Sequence, residues 1–112
     1  MKIIKLKSWN DIPKEYTGIV ELTTAENYFW FKNGKVHRED GPAWISKNDY
    51  KEWYLDGKGI CNSSYKFDLT NRIILSKAQH PLYPTVQVWK ILNKSEVYEQ
   101  IVIPGMEEFI KE

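Results

Sequence analysis

The sequence predicts a mostly β protein of the α+β class, in which antiparallel β-hairpins form a curved sheet, followed by one short helix and a C-terminal hairpin. Two observations predict the sheet. Short runs of aromatic and β-branched residues alternate with polar turns. Two of these turns contain Asn33-Gly34 and Asp56-Gly57, dipeptides that favour tight hairpins. The length of 112 residues predicts a single domain, residues 1–112.

The first predicted strands lie before the Asn33-Gly34 turn. Residues 2–7 alternate loosely between isoleucine or leucine and lysine. This pattern indicates an edge strand whose exposed lysines disfavour pairing with another chain. Residues 17–22 are rich in β-branched side chains, and residues 28–32 are aromatic. Both compositions are typical of strands, so the two segments predict an antiparallel pair.

The hairpin pattern then occurs a second time. A returning strand at 35–37 is followed by further predicted strands at 43–46, 50–55 and 58–61. Aligning Trp30 with Trp53 places Asn33-Gly34 on Asp56-Gly57, an offset of 23 residues. A fixed period of this size is typical of repeat architectures. Residues 17–62 are therefore predicted to be two hairpin repeats, with the two indoles in one face of the core.

Residues 66–112 follow a different pattern. Asp68 is a residue type that caps helices, and the apolar spacing after it predicts a helix over 69–78. The β-branched pair Ile73-Ile74 leaves a strand as the alternative. The segments after this region predict a long C-terminal hairpin, with strands at 85–92 and 96–103.

The hairpin motif resembles a known group of proteins. The stretch at 33–43, Asn-Gly-Lys-Val-His-Arg-Glu-Asp-Gly-Pro-Ala, follows an aromatic strand, and Trp-Tyr-Leu-Asp-Gly-Lys follows at 53–58. This pattern is similar to the MORN-like hairpin repeats of small proteins of bacteriophages and large DNA viruses, and the ending at 103–109 is similar too. The resemblance implies a hairpin array of viral origin and implies no catalytic residue.

Composition and charge exclude several classes of protein. The net charge of +1, from 16 basic and 15 acidic residues, argues against binding to duplex nucleic acid through its phosphates. Cys61 is the single cysteine, so no disulfide within the chain and no cysteine-based zinc site is expected. Neither a signal peptide nor a membrane span is apparent. The sequence therefore predicts a cytoplasmic protein without metal or cofactor.

Five residues are candidate ligand contacts: Trp44, Arg38, His37, Lys35 and Lys58. Trp44 has no aromatic counterpart in the other hairpin, so it is expected to be the most exposed indole and a platform ringed by cations. His37 and Arg38 are neighbours in a predicted strand, so they point to opposite faces and can enter one catalytic site only if the turn reorients them. The alternative is structural, with Arg38 pairing with a carboxylate of the adjoining unit and so locking one hairpin to the next.

These features predict a binding protein rather than an enzyme. The abundance of Trp and Tyr in a short chain favours a module that docks on and inhibits a host defence protein. The alternative is a protein that sequesters an anionic nucleotide messenger of host immunity. The predicted sheet also has free edges, which favour self-association into a homo-oligomer.

Overall fold

The computed structural model of the chain describes residues 2–64 and 67–111. The described residues divide into two compact units, the first formed by 2–38 and 42–64 and the second by 39–41 and 67–111. The predicted start of the C-terminal segment at 66 and its end at 112 lie outside the described residues. A single domain over 1–112 stays a prediction.

The first unit contains a mixed sheet. Its described strands are β1 (Ile3–Leu6), β2 (Gly18–Leu22), β3 (Asn27–Lys32), β4 (Lys35–Val36), β5 (Trp44–Ile45), β6 (Lys51–Leu55) and β7 (Lys58–Asn62). The order across the sheet is β1-β2-β3-β5-β6-β7, with β4 paired to β3. The predicted strands are confirmed at these positions.

The first strand corrects the prediction of a purely antiparallel sheet. β1 pairs with β2 in parallel, whereas β2 and β3 are antiparallel. A parallel pair needs a crossover of roughly a dozen residues. Residues 7–17 supply it and include a 3-10 helix at Trp9–Asp11. The sequence shows no helix of normal length in this crossover, so the parallel pairing was not expected.

Both predicted hairpin turns are confirmed. The φ angles are 51° and 79° at Asn33 and Gly34, and 49° and 81° at Asp56 and Gly57. A type I′ turn requires positive φ at both central residues, which Asn, Asp and Gly tolerate best. These residues therefore set the positions at which β3 and β6 reverse direction.

One hydrophobic cluster of the first unit lies on the face of the sheet that carries Phe29, while buried Ala43, Trp53 and Leu55 lie on the opposite face. The buried members of the cluster are Tyr16, Val20, Leu22, Phe29 and Phe31, and partly buried Ile4, Leu6, Ile12, Val36 and Trp44 pack against them. The Tyr16 hydroxyl donates to the Ile19 carbonyl at 3.1 Å. A Cβ at Gly18 would lie 2.6 Å from this hydroxyl oxygen, so only glycine fits there.

The second unit is built on an antiparallel three-strand meander. Its strands are β8 (Phe67–Asp68), β9 (Ile73–Gln79), β10 (Gln87–Asn93), β11 (Glu96–Val102) and β12 (Ile110–Lys111), with a 3-10 helix at Met106–Phe109. In the described residues β9, β10 and β11 form one sheet in the order β11-β10-β9, and β12 pairs with β8 in parallel. The predicted C-terminal hairpin is confirmed.

The helix predicted over 69–78 is wrong, and the strand alternative is confirmed. Residues 73–79 form β9 and pair with β10. The Asp68 carboxylate accepts the Thr70 N–H at 2.9 Å, so it stabilises a turn instead of a helix start. The β-branched pair Ile73-Ile74 suits the sheet, and pairing with β10 supplies hydrogen-bond partners along one edge of this segment.

Candidate functional site

Four aromatic side chains of the first unit touch in succession, and we call them the aromatic row: Trp9, Phe29, Trp44 and Tyr50. The Trp9 ring meets Phe29 edge-on, with centroids 4.9 Å apart. Phe29 and Trp44 are stacked at 5.4 Å, and Tyr50 contacts Trp44 edge-on at 5.4 Å. Strands β3 and β5 fix the middle of the row, because Phe29 and Trp44 are cross-strand partners. These are the preferred geometries of aromatic pairs.

Trp9 is the exposed end of the aromatic row, with 48% of its surface accessible. Its 3-10 helix is capped by the Ser8 hydroxyl, which accepts the Asn10 N–H at 3.2 Å. The Trp9 ring also lies 5.5 Å from the Phe31 ring. The indole is therefore held in position while about half of it faces solvent.

Trp44 carries a buried hydrogen-bond donor without an acceptor. Its Nε1 is buried and has no hydrogen-bond partner among the described residues. A buried N–H without an acceptor costs about 1–3 kcal/mol, and native proteins leave few of them. An acceptor oxygen supplied by a bound molecule would remove this cost.

The far end of the aromatic row is polar. The hydroxyls of Tyr50 and Tyr54 donate to the two carboxylate oxygens of Glu52, at 2.5 and 2.6 Å. Glu52 is the cross-strand partner of Trp44, so its carboxylate lies on the same face as the row. The hydrogen bond to Glu52, together with burial, raises the pKa of Tyr50 and of Tyr54 to about 12. Both phenols therefore stay protonated at neutral pH and hold the carboxylate in place.

Replacing Glu52 with glutamine is expected to lower the pKa of Tyr50 and Tyr54 toward the ordinary value of 10.0, because the charged acceptor is the main cause of the shift. An alkaline titration followed by tyrosinate absorbance measures this change. Tyr50→Phe and Tyr54→Phe, each in the wild-type background, assign the two late-titrating groups. An unchanged titration curve for Glu52→Gln would show that the carboxylate does not hold these phenols.

Stability is expected to depend on pH in the same range. A phenol whose pKa is higher in the folded than in the unfolded state contributes stability fully below the unfolded value. For Tyr50 and Tyr54 this contribution is lost as pH rises from about 10 to about 12. Urea midpoints measured across this window test the expectation. The Tyr50→Phe and Tyr54→Phe double variant should show a shallower decline, and an equally steep decline would contradict the assignment.

The structure does not bring all the predicted ligand contacts to one face. Lys58 is the cross-strand partner of Leu55, and Lys35 is the partner of Lys32. The alternation along β3 and β6 places these pairs on the face opposite Trp44. Lys35 and Lys58 are exposed. Their contact with a ligand stays a prediction, but both lysines lie on the other face of the sheet from a molecule that contacts Trp44.

His37 and Arg38 make contacts within the hairpins. His37 is 5% exposed, and its Nδ1 accepts the Asp56 N–H at 2.9 Å. The Arg38 guanidinium lies 4.1 Å from the centre of the Trp30 ring and donates to the Pro42 carbonyl at 3.1 Å. The His37 contact joins the first hairpin to the turn of the second, whereas these Arg38 contacts lie within the first hairpin and the loop after it, so the lock between hairpins by Arg38 stays a prediction. A ligand contact by either residue stays a prediction.

The sequence did not identify the exposed indole or the polar end of the row. Trp44 was expected to be the most exposed indole, but it is half-buried and Trp9 is exposed. A usable signal was present at Tyr50, Glu52 and Tyr54, because alternate residues of a strand share one face. The 3-10 helix that presents Trp9 has no comparable signal, since its segment is neither periodic nor rich in helix formers.

No group of three or more His, Cys, Asp or Glu residues is placed to hold a metal ion in residues 2–64 and 67–111. None of the described helical segments has the length and apolar character needed to cross a membrane. Comparisons with protein-family models, curated proteins and solved structures find no match. Function is therefore inferred from the residues and their geometry.

Proposed function

We propose that this chain is a non-enzymatic binding module that docks on another protein through the aromatic row. The single observation that carries the proposal is Trp9, an indole that is 48% exposed yet packed on Phe29 and Phe31. Tryptophan is enriched among the few residues that dominate interface energetics. An indole already fixed by its neighbours loses little conformational freedom when a partner covers it.

Trp44 and Glu52 supply directional contacts beside this indole. The Trp44 Nε1 is shielded from solvent, so a partner reaches it when a covering side chain shifts, and such rearrangements are common at interfaces. The Glu52 carboxylate accepts two tyrosine hydroxyls and retains further lone pairs. The peptide backbone of a partner offers a carbonyl oxygen that can accept the Trp44 Nε1–H and an N–H that can donate to the Glu52 carboxylate.

We also propose that the first unit consists of two copies of a 23-residue hairpin repeat in a curved sheet. Positive φ recurs at Glu26 and Asp49, which are 49 − 26 = 23 residues apart. In the two type I′ turns, Gly34 and Gly57 each donate a backbone N–H at 2.9 Å to a carbonyl of the segment before the hairpin. A turn contact of the same kind is expected when one unit stacks on the next, although the acceptors, Tyr16 and Val36, are not themselves 23 residues apart.

The resemblance to MORN-like viral proteins is the basis for proposing the kind of partner. The chain is proposed to be a small viral protein that docks on a host defence protein in the host cytoplasm and inhibits it. Nucleotide sequestration is less well supported, because Lys35 and Lys58 lie on the face opposite Trp44. Arg38, the third cation of that hypothesis, lies over Trp30.

Affinity capture from a host-cell lysate with immobilised wild-type chain and with Trp9→Ala tests the proposal. The wild-type chain should retain a specific protein, and Trp9→Ala should retain it at least about ten times less, as expected for an interface anchor. Leu82→Ala is the matched control, since Leu82 is an exposed apolar residue of the second unit, 73% accessible. Equal retention by Trp9→Ala and wild type would contradict docking through the aromatic row.

A parallel arm distinguishes the nucleotide alternative. The purified chain is incubated with a nucleotide extract, removed, and heated, and mass spectrometry identifies what is depleted and what is released. Release of an intact nucleotide, with no protein captured, would favour sequestration. A chemically altered product would show catalysis and overturn the non-enzymatic assignment. Circular dichroism of each variant establishes that it is folded before either arm is interpreted.

A further inference from the structure

The three-strand sheet of the second unit has one buried face, carrying Trp89, Ile91 and Val102. We call the opposite side the outer face. Cross-strand register assigns its residues to three rows. The rows are Ile73, Leu92 and Val97; Ser76, Lys90 and Glu99; and Ala78, Val88 and Ile101. Two apolar rows therefore flank a row that carries one positive and one negative charge.

The outer face is accessible and carries unpaired charges. Ile73 is 58% exposed and Val97 is 56% exposed. Lys90 and Glu99 are exposed cross-strand partners, yet neither forms an ion pair with any residue in the described part of the chain. Apolar side chains that lie side by side on an exposed sheet face form a candidate interaction surface.

We propose that the outer face binds the same face of a second copy of this chain. A two-fold axis parallel to the strands, passing between β10 and β11, stacks β10 of one copy on β11 of the other. Leu92 then faces Val97 of the partner subunit, and Val88 faces Ile101 of the partner subunit. Lys90 faces Glu99 of the partner subunit, and the symmetry repeats each contact.

Charge complementarity selects a second copy as the occupant. Under this axis the β10 and β11 members of each apolar row cover one another, β9 lies outside the contact, and each Lys90 meets a Glu99 of the other copy. A surface that matches itself in both respects satisfies the requirement of an isologous interface, in which one patch serves both partners. Aligned packing of two sheets at about 30° is also a common arrangement for faces of this composition.

The size of the contact predicts a weak, reversible dimer. Two strands of seven residues cover about 24 Å by 10 Å, from the usual rise per residue and strand spacing. Such a patch, counted on both copies, lies below the roughly 1,200 Å² of stable interfaces. Dimers are therefore expected at high protein concentration and monomers on dilution.

Sedimentation equilibrium over a wide concentration range, with single and paired charge reversals, tests the interface. Wild type should pass from monomer to dimer, and Lys90→Glu and Glu99→Lys should each raise the dissociation constant at least about tenfold by placing like charges together. An equimolar mixture of these two variants should dimerise again, because each then offers the charge that the other lacks. The double variant, in which both charges are exchanged, should dimerise like wild type.

Two outcomes would overturn the proposal. One is a wild-type chain that stays monomeric up to concentrations on the order of 1 mM, which bounds even weak association. The other is a single charge reversal that dimerises as well as wild type, or a mixture that fails to recover. The aromatic row belongs to the first unit and the outer face to the second, so Trp9→Ala is expected to leave the dimer unchanged, and failure of docking and failure of dimerisation are distinguishable.

Discussion

Replacing Trp53 with alanine is expected to lower the free energy of unfolding by about 3–5 kcal/mol, the cost typical of truncating a buried tryptophan. Trp53 is 1% exposed and lies in β6, which is hydrogen-bonded to β5 on one side and β7 on the other. Truncation leaves a cavity in which water cannot replace the packing contacts of the indole. The neighbouring strands also restrict the movement of other side chains into that cavity. Urea unfolding followed by far-ultraviolet circular dichroism measures the change.

Trp9→Ala is the matched control because it removes the same side chain from an exposed position. We expect it to cost roughly 1–2 kcal/mol, from partial burial and the ring contacts to Phe29 and Phe31. A Trp53→Ala variant no less stable than Trp9→Ala would contradict the central position of Trp53. Trp30 and Trp53 share the face opposite the Phe29 cluster, so this result would also weaken the prediction that the two indoles are buried together on one face.

The turns and most strands follow from local signals in the sequence. Asn33-Gly34 and Asp56-Gly57 adopt the positive φ angles that their residue types tolerate, and this depends on little beyond the four residues themselves. Aromatic and β-branched composition marks β3 and β6 for a similar reason, since such side chains suit a pleated, half-buried surface.

Features that depend on non-local pairing were not predicted. The helix expected over 69–78 competes with a strand whose backbone is satisfied by β10, and that partner lies outside the local window. The parallel pairing of β1 with β2 likewise depends on how residues 7–17 cross the sheet. Local propensity carries no information on which of two distant segments will pair.

The site was misjudged at Trp44 because of register. The 23-residue alignment equates Trp44 with Glu21, which lies on the face away from the core of the first unit. The observed pairing instead places Trp44 opposite Phe29 and Glu52. The alignment predicts that Ala43 pairs with Glu52, but Trp44 does so instead. The strand pairing in the second hairpin is therefore shifted by one residue, and such a shift moves a side chain to the other face of the sheet.

Replacing His37 with leucine is expected to cost about 1–3 kcal/mol of stability, because it leaves a part-buried backbone donor without its acceptor. The His37 Nδ1 accepts the N–H of Asp56, the first central residue of the second type I′ turn, at 2.9 Å. The imidazole is 5% exposed, so water has little access to replace it. Leucine is similar in bulk, so the loss reports mainly on the polar contacts of the imidazole.

Two further variants separate the hydrogen bond from other effects of the substitution. His37→Asn keeps an acceptor oxygen near the position of Nδ1 and should lose less stability than His37→Leu. Thr17→Val removes the corresponding bond of the first turn, where the Thr17 hydroxyl accepts the Asn33 N–H at 2.9 Å in an exposed setting. Water can replace that bond, so we expect a cost of about 0.5–1 kcal/mol.

The His37 variants decide between a structural role for His37 and a contact of His37 with a ligand. A large loss for leucine, a smaller one for asparagine and a minor one for Thr17→Val would show that His37 fastens the second turn to the chain before it. Wild-type stability in His37→Leu would mean that the imidazole is dispensable to the fold. A buried histidine that the fold does not need would favour a contact with a bound molecule, because burial of a polar ring without structural gain is costly.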